Sequence, residues 1–101
     1  MIIYHVTVKI DTEVETEWLD WMQRVHIPDV MKTGYFERSQ LARVISMADT
    51  DGTSYSIQYH CKDMATLHRY QVQAAPALQK EHTDRYAGKF AAVRTLLEIV
   101  D

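Results

Sequence analysis

Two histidines in this chain are placed where apolar neighbours surround an ionisable ring. His26 closes the run from Glu17 that contains Trp18, Leu19, Trp21, Met22 and Val25. On a helix of about 100° per residue, Val14, Trp18, Trp21, Met22 and Val25 share one apolar stripe, opposite Glu13, Glu17, Asp20 and Arg24. His26 projects at the edge of that stripe, between Leu19 and Met22, so its imidazole is aimed at or beside the core. His82 follows the same logic further on, where Leu78, His82, Arg85 and Tyr86 keep the i, i+4, i+7, i+8 spacing. Imidazole ordinarily titrates near neutrality, which makes each ring a candidate general base. A helix C-terminus favours protonated His26 and apolar surroundings oppose it, and the sequence leaves that balance open. The same Trp and Met spacing also serves a plain hydrophobic core.

Metal chemistry is disfavoured. The local pairs His26 with Asp29 and His82 with Asp84 do not make the two-histidine i, i+4 arrangement of helical zinc sites. Haem needs a ring nitrogen on iron; His26 and His82 could each supply one, but no motif selects haem, so no cofactor is assigned. There is no phosphate-binding glycine loop, nucleophile elbow or cysteine pair, which sets nucleotide and thiol chemistry aside. Cys61 is the only cysteine and suits a reducing compartment as a small buried hydrophobe on a strand.

The elements that must hold these rings follow from periodicity. Ile2, Tyr4, Val6, Val8 and Ile10 alternate with Ile3, His5, Thr7 and Lys9, a strand with one buried side. Thr12 and Glu15 have the spacing of a capping box that starts a helix near Glu13. Pro28 should end or kink that helix about His26, with a further short turn to Thr33 closing at Gly34. A second strand spans residues 35–48, with Leu41, Ile45 and Met47 on one face and Phe36, Ala42 and Val44 on the other. Asp49-Thr50-Asp51-Gly52 reads as a hairpin turn with Gly52 at positive φ, leading to a strand over 53–61 with Tyr55, Ile57, Tyr59 and Cys61 on one side. Asp63 caps a helix that breaks at Pro76 and resumes over 77–87 to Gly88. The final strand, 90–100, places Ala91, Val93, Thr95, Leu97 and Ile99 on one side and Arg94, Leu96 and Glu98 on the other.

This order predicts an α+β fold of ferredoxin-like βαββαβ type: one domain over residues 1–101, with a four-stranded antiparallel sheet and two helices on one face. The helix-free face is expected to carry Ile3, His5, Thr7, Ser54, Ser56, Gln58, His60, Arg94 and Leu96, a mixed surface suited to a homodimer. At 101 residues, shape for a deep pocket has to come partly from a second copy. Lys and Arg total 11 against 14 Asp and Glu, giving net charge −3, and the basic residues are scattered, which argues against nucleic acid. No segment approaches the ~20 apolar residues of a membrane span, and no cleavable leader is evident, so a cytoplasmic protein is expected.

With these residues placed, the chain resembles the dimeric α/β-barrel superfamily. More narrowly it resembles the family called domain of unknown function 4286. The matching stretches are Met1-Ile2-Ile3-Tyr4 with Val6-Thr7-Val8, Trp18-Leu19 with Trp21-Met22, His26-Ile27-Pro28-Asp29-Val30, Tyr55-Ser56-Ile57-Gln58-Tyr59, Ala75-Pro76-Ala77-Leu78 with His82, and Arg94-Thr95-Leu96-Leu97-Glu98. The resemblance implies two sheets paired into a dimeric barrel, with a small-molecule pocket between helices and sheet in each subunit. Superfamily members include cofactor-independent monooxygenases, haem-binding and haem-degrading proteins, and enzymes of small aromatic or polyketide substrates. In such a pocket His26 is the candidate catalytic base, acting on a phenol or an acidic C–H. Trp18, Trp21, Met22, Tyr4, Tyr55, Tyr59 and His82 supply an aromatic, ligand-binding box. The expected function is a homodimer binding a small, partly aromatic ligand near His26 as a cofactor-independent monooxygenase-like enzyme. The alternative is a non-catalytic structural or regulatory ligand-sensing module.

Overall fold

Alternating apolar residues in four segments build one antiparallel sheet. The computed structural model describes residues 1–46 and 51–101. Its strands are β1 (Ile2–Asp11), β2 (Phe36–Arg43), β3 (Gly52–Cys61) and β4 (Phe90–Glu98), ordered β2-β3-β1-β4. Helices α1 (Glu15–Trp21) and α2 (Ile27–Lys32) lie between β1 and β2, and α3 (Met64–Gln73) and α4 (Ala75–Tyr86) between β3 and β4. The expected ferredoxin-like topology is the one observed. The placements of Met47 and of the Asp49-Thr50 part of the turn lie outside the described residues.

The core forms where one face of β1 and β3 meets the helices. Tyr4, Val8 and Ile10 of β1, and Tyr55, Ile57, Tyr59 and Cys61 of β3, are buried with Trp18, Trp21, Met22, Leu67, Tyr70 and Tyr86. Pairing of Tyr4 with Tyr59 and of Val6 with Ile57 puts these residues on a common face, as the alternation in both strands predicts.

The first helical region departs from expectation in three ways, each with a local cause. Asp11, not Thr12, caps it: the Asp11 carboxylate accepts from the Glu13 amide at 2.8 Å. Glu15 does not complete a capping box, because its carboxylate accepts instead from the Tyr55 hydroxyl at 2.6 Å and the Thr53 hydroxyl at 3.1 Å. Nor does the helical path end at His26. Residues Met22–His26 form a π-turn that runs directly into α2, and the Ile27 amide donates to the Met22 carbonyl five residues back. Pro28 then sits in the first turn of α2, where its missing N–H costs nothing. The extra residue in the wide turn displaces the carbonyls that the proline ring would meet in a regular helix. It also rotates Val25 out to 37% exposure, off the stripe where spacing placed it.

Strand parity differs from the sequence expectation at two places. A bulge between Phe36 and Arg38 shifts the β2 register, so Phe36 (paired with Cys61) and Leu41 (paired with Ile57) share the helix side despite their odd separation. In β4 the sides are exchanged. Ala92, Arg94 and Leu96 pair with Val8, Val6 and Tyr4, so Arg94 and Leu96 belong to the helix face, and Ala91, Val93, Thr95 and Leu97 belong to the bare one. Phe90, opposite Ile10, sets that parity.

The break between α3 and α4 falls at Ala74, with Pro76 in the first turn of α4 and not at the break expected there; the Asp63 start and the two glycine stops are as predicted. Asp63 caps α3 by accepting from the Thr66 amide at 2.8 Å, and Gly34 and Gly88 have φ of 83° and 76°. Gly52 does not have the positive φ expected of a turn residue. It is the first residue of β3, and an added Cβ would stand 2.6 Å from the Ile10 carbonyl oxygen. Close backbone approach, not turn geometry, requires glycine there. Gly52→Ala is therefore expected to lower stability by about 2 kcal/mol or more, as overpacking does, against about 1 kcal/mol for Gly88→Ala. Urea unfolding of the two variants checks the order, and a milder loss at Gly52 would remove the clash argument.

Candidate functional site

The site begins with an aromatic cluster between α1, the π-turn, α4 and β4. The indole N–H of Trp18 donates to His82 Nε2 at 2.9 Å, a buried bond between α1 and α4. With Nε2 accepting, the proton of a neutral His82 sits on Nδ1. Around this pair, the His82 ring centroid lies 4.5 Å from that of Phe90, 5.5 Å from Tyr86, 5.9 Å from Trp21 and 5.7 Å from His26. Trp21 in turn packs on His26 at 5.2 Å. The two inward-aimed histidines thus meet across the helices.

A cavity of about 50 Å3 opens between these rings and the sheet, partly continuous with solvent. That is room for a few water molecules. Its apolar wall comes from Val6, Val8 and Ile57 on the sheet with Met22, Val30 and Leu78 on the helices. Tyr4, Tyr59 and Tyr70 close one side, and Gln79, Thr83 and Arg94, all less buried, form the rim. Arg94 Nε donates to the Tyr4 hydroxyl at 3.0 Å, and Gln79 Nε2 donates to the same oxygen at 3.4 Å.

Of the residues the sequence singled out, His26, His82, Met22, Tyr4 and Tyr59 line this cavity. Trp18, Trp21 and Tyr55 do not reach it. Trp18 is fully buried behind His82, Trp21 lies against both imidazoles, and Tyr55 packs on Trp18 at 5.1 Å and is held by Glu15. Sequence reasoning missed Tyr70, Gln79 and Thr83 as lining residues, and put Arg94 on the opposite face of the sheet. The apolar β4 residue that pairs with Ile10, Phe90, was the available signal.

Burial controls the electrostatics. Desolvation pushes His26 down from 6.5 to about 4, against a smaller upward pull from Asp29. His82 is also lowered to about 4, by desolvation first and then by the neighbouring His26 and Arg94. Both rings are neutral at pH 7, and His26 Nδ1 is buried without a hydrogen-bond partner. An unsatisfied buried group of this kind costs about 1–3 kcal/mol. Desolvation also raises the Tyr59 and Tyr70 phenols above their ordinary range, so both stay protonated. Among the described residues no group of three or more His, Cys, Asp or Glu is placed to hold a metal, and no helix is long and apolar enough to cross a membrane.

Sheet order and helix placement define the class: a ferredoxin-like α+β protein with a helix–sheet cavity. Within that class the chain belongs to the family described as Domain of unknown function (DUF4286), whose model matches residues 1–100. No curated protein matches it by sequence. Among solved structures it is similar to a variant of MhuD with two manganese protoporphyrin IX molecules bound per active site (TM-score 0.73, 14% identity, covering 99% of this chain and 95% of that one). A dimeric ferredoxin-like protein from an uncultured marine organism gives TM-score 0.70 at 12% identity, covering 100% and 96%. SnoaB, a cofactor-independent oxygenase from Streptomyces nogalater, gives 0.67 at 16% identity, covering 99% and 94%. At such identities the likeness is one of fold.

The depressed imidazoles have a direct consequence for stability. Between about pH 6.5 and pH 4 the unfolded chain binds protons at His26 and His82 that the folded chain refuses, so stability is full above pH 6.5 and falls as pH drops toward 4. At 1.36 kcal/mol per unit the ceiling is about 3 kcal/mol for one ring, and screening at the partly open mouth reduces it. Urea midpoints from pH 7.5 to 4.5 should fall less steeply in His26→Gln than in the parent protein. Equal slopes would mean that the ring is solvated.

Proposed function

We propose that this protein binds a small, partly aromatic ligand in the cavity beside His26 and, with that imidazole as proton acceptor, acts on it as a cofactor-independent oxygenase. The observation that carries the reading is that a neutral His26, whose Nδ1 is buried without a hydrogen-bond partner, is among the residues lining an aromatic cavity. A neutral imidazole without a protein partner is in the state that can take a proton from an acidic O–H or C–H, leaving an electron-rich anion for dioxygen to oxidise. SnoaB, similar in fold, is described as a cofactor-independent oxygenase, so the fold is compatible with this chemistry. A porphyrin greatly exceeds a cavity of about 50 Å3, and a single ring, which needs about 150 Å3 when enclosed, would lie partly outside its open mouth.

The size of the cavity in one chain also favours a second reading, a non-catalytic ligand-sensing module. Binding with no dioxygen consumption would select it. Under either reading the helix-free face is the dimer surface. Val93 is 65% and Leu97 38% exposed on that face, beside a polar group in which His5 Nε2 meets the Ser56 hydroxyl at 2.8 Å. A mixed face of this composition suits a partly wet interface between two copies, and a protein of similar fold is described as dimeric.

Native mass spectrometry of the purified protein identifies a co-purified ligand. His26→Ala is expected to abolish the rise in melting temperature that this ligand produces while leaving the subunit mass by sedimentation unchanged, and an undiminished rise would exclude His26 from the site. Val93→Glu is expected to shift a dimer toward monomer in sedimentation. A parent protein that sediments as a monomer at micromolar concentration would remove the dimer.

A further inference from the structure

We infer that the polar end of the ligand is a carboxylate, held at the mouth of the cavity by the guanidinium of Arg94 and the hydroxyl proton of Tyr4. This rests on the reading that the cavity is the ligand site. Among the described residues Arg94 is the one cation on the cavity wall, and none of those lining it is an Asp or Glu. Among the described residues Arg94 forms no ion pair, and its one hydrogen bond uses Nε on the Tyr4 oxygen at 3.0 Å. Its two terminal NH2 groups are therefore without a protein acceptor among those residues. The Tyr4 oxygen accepts from Arg94 and, at 3.4 Å, from Gln79. With Arg94 Nε on the Tyr4 oxygen, the Tyr4 proton turns away from the guanidinium, and no hydrogen bond donated by Tyr4 is found among the described residues. The mouth thus presents a fork of guanidinium N–H groups beside a phenol O–H, all donors, with no matching anion.

Ligand classes divide on this arrangement. A cationic ligand is repelled by Arg94, and a neutral one makes no ion pair with it. A carboxylate matches the planar fork with two parallel hydrogen bonds, the strong form of this contact. A phosphate dianion asks for more positive charge than one rim arginine supplies. Arg94 is bonded to Tyr4, whose ring lies against Phe36, Tyr59 and Tyr70 with centroids 5.8–6.2 Å away. The cation is therefore anchored to the rigid part of the core.

Calorimetric titration with benzoate and its neutral isostere benzamide tests the assignment. The parent protein is expected to bind benzoate at least ten-fold more tightly than benzamide. Arg94→Gln is expected to erase that difference while keeping the folded circular-dichroism spectrum, and Arg94→Lys to retain part of it. Should Arg94→Gln fail to fold, Tyr4→Phe keeps the ring contacts, removes the donor, and is expected to weaken benzoate several-fold relative to benzamide. Equal binding of the two probes, or a preference that survives Arg94→Gln, overturns the carboxylate and leaves the cavity as a neutral-ligand site. If neither probe binds, both the carboxylate and the ligand site fall.

Discussion

The buried hydrogen bond from Trp18 to His82 is the constraint on which the site depends. Helices packed by apolar contacts alone tolerate small slides, because dispersion contacts re-form in nearby registers. A fully buried indole N–H tolerates none, since losing its acceptor costs about 1–3 kcal/mol. At 2.9 Å this bond fixes α4 against α1 and selects the His82 tautomer. It also fixes the His82 ring plane, and so where Phe90 and Tyr86 can stand against it. The cavity is the space left once these rings have been locked.

The π-turn does for His26 what that bond does for His82. A regular helix through Pro28 would lose a hydrogen bond and press the proline ring on a carbonyl. Widening one turn over Met22–His26 avoids both and changes the angular position of every residue after it. Val25 leaves the core and His26, half-buried, stands against its edge, 5.7 Å from His82 between ring centroids. The local solution to a proline problem is thus also what brings two imidazoles together from elements separated by most of the chain.

Most of the architecture was legible because strict alternation in β1 and β3 has one physical interpretation. Tyr55, Ile57, Tyr59 and Cys61 against Ser54, Ser56, Gln58 and His60 admit only one inward face. The helix caps at Asp63, Gly34 and Gly88 were equally readable, being local chemistry. What failed was parity where neither face is plainly polar. In β4, Val93 and Leu97 look as much like core as Phe90 and Leu96 do, and the β2 bulge reverses parity without a signature in sequence. The inward histidines were visible as breaks in apolar stripes. Arg94 was not, because an arginine on a strand reads as solvent-facing until the tyrosine that accepts from it is found across the sheet. Trp18, Trp21 and Tyr55 could not be told from lining residues by spacing, since a ring behind a cavity wall and a ring in it share the same stripe.

The balance of charge around the cavity limits what chemistry it can support. An imidazole held at about 4 is neutral throughout the physiological range but is a weak base. Taking a proton from a phenol of pKa near 10 costs about 8 kcal/mol at 1.36 kcal/mol per unit, if nothing else changes. On the proposed reading one feature would reduce that figure in the same step: the imidazolium and the ligand anion attract each other at short range in a poorly solvated space, while Arg94 is already neutralised by the carboxylate. Desolvation that weakens the base in the empty site therefore strengthens the ion pair in the occupied one. Proton transfer would then be governed by how closely the imidazolium and the anion approach, more than by the basicity of His26 in the empty cavity. On that reading the arginine at the mouth would hold the carboxylate end of the ligand and the neutral histidine within would act on the other end, each of limited use without the other.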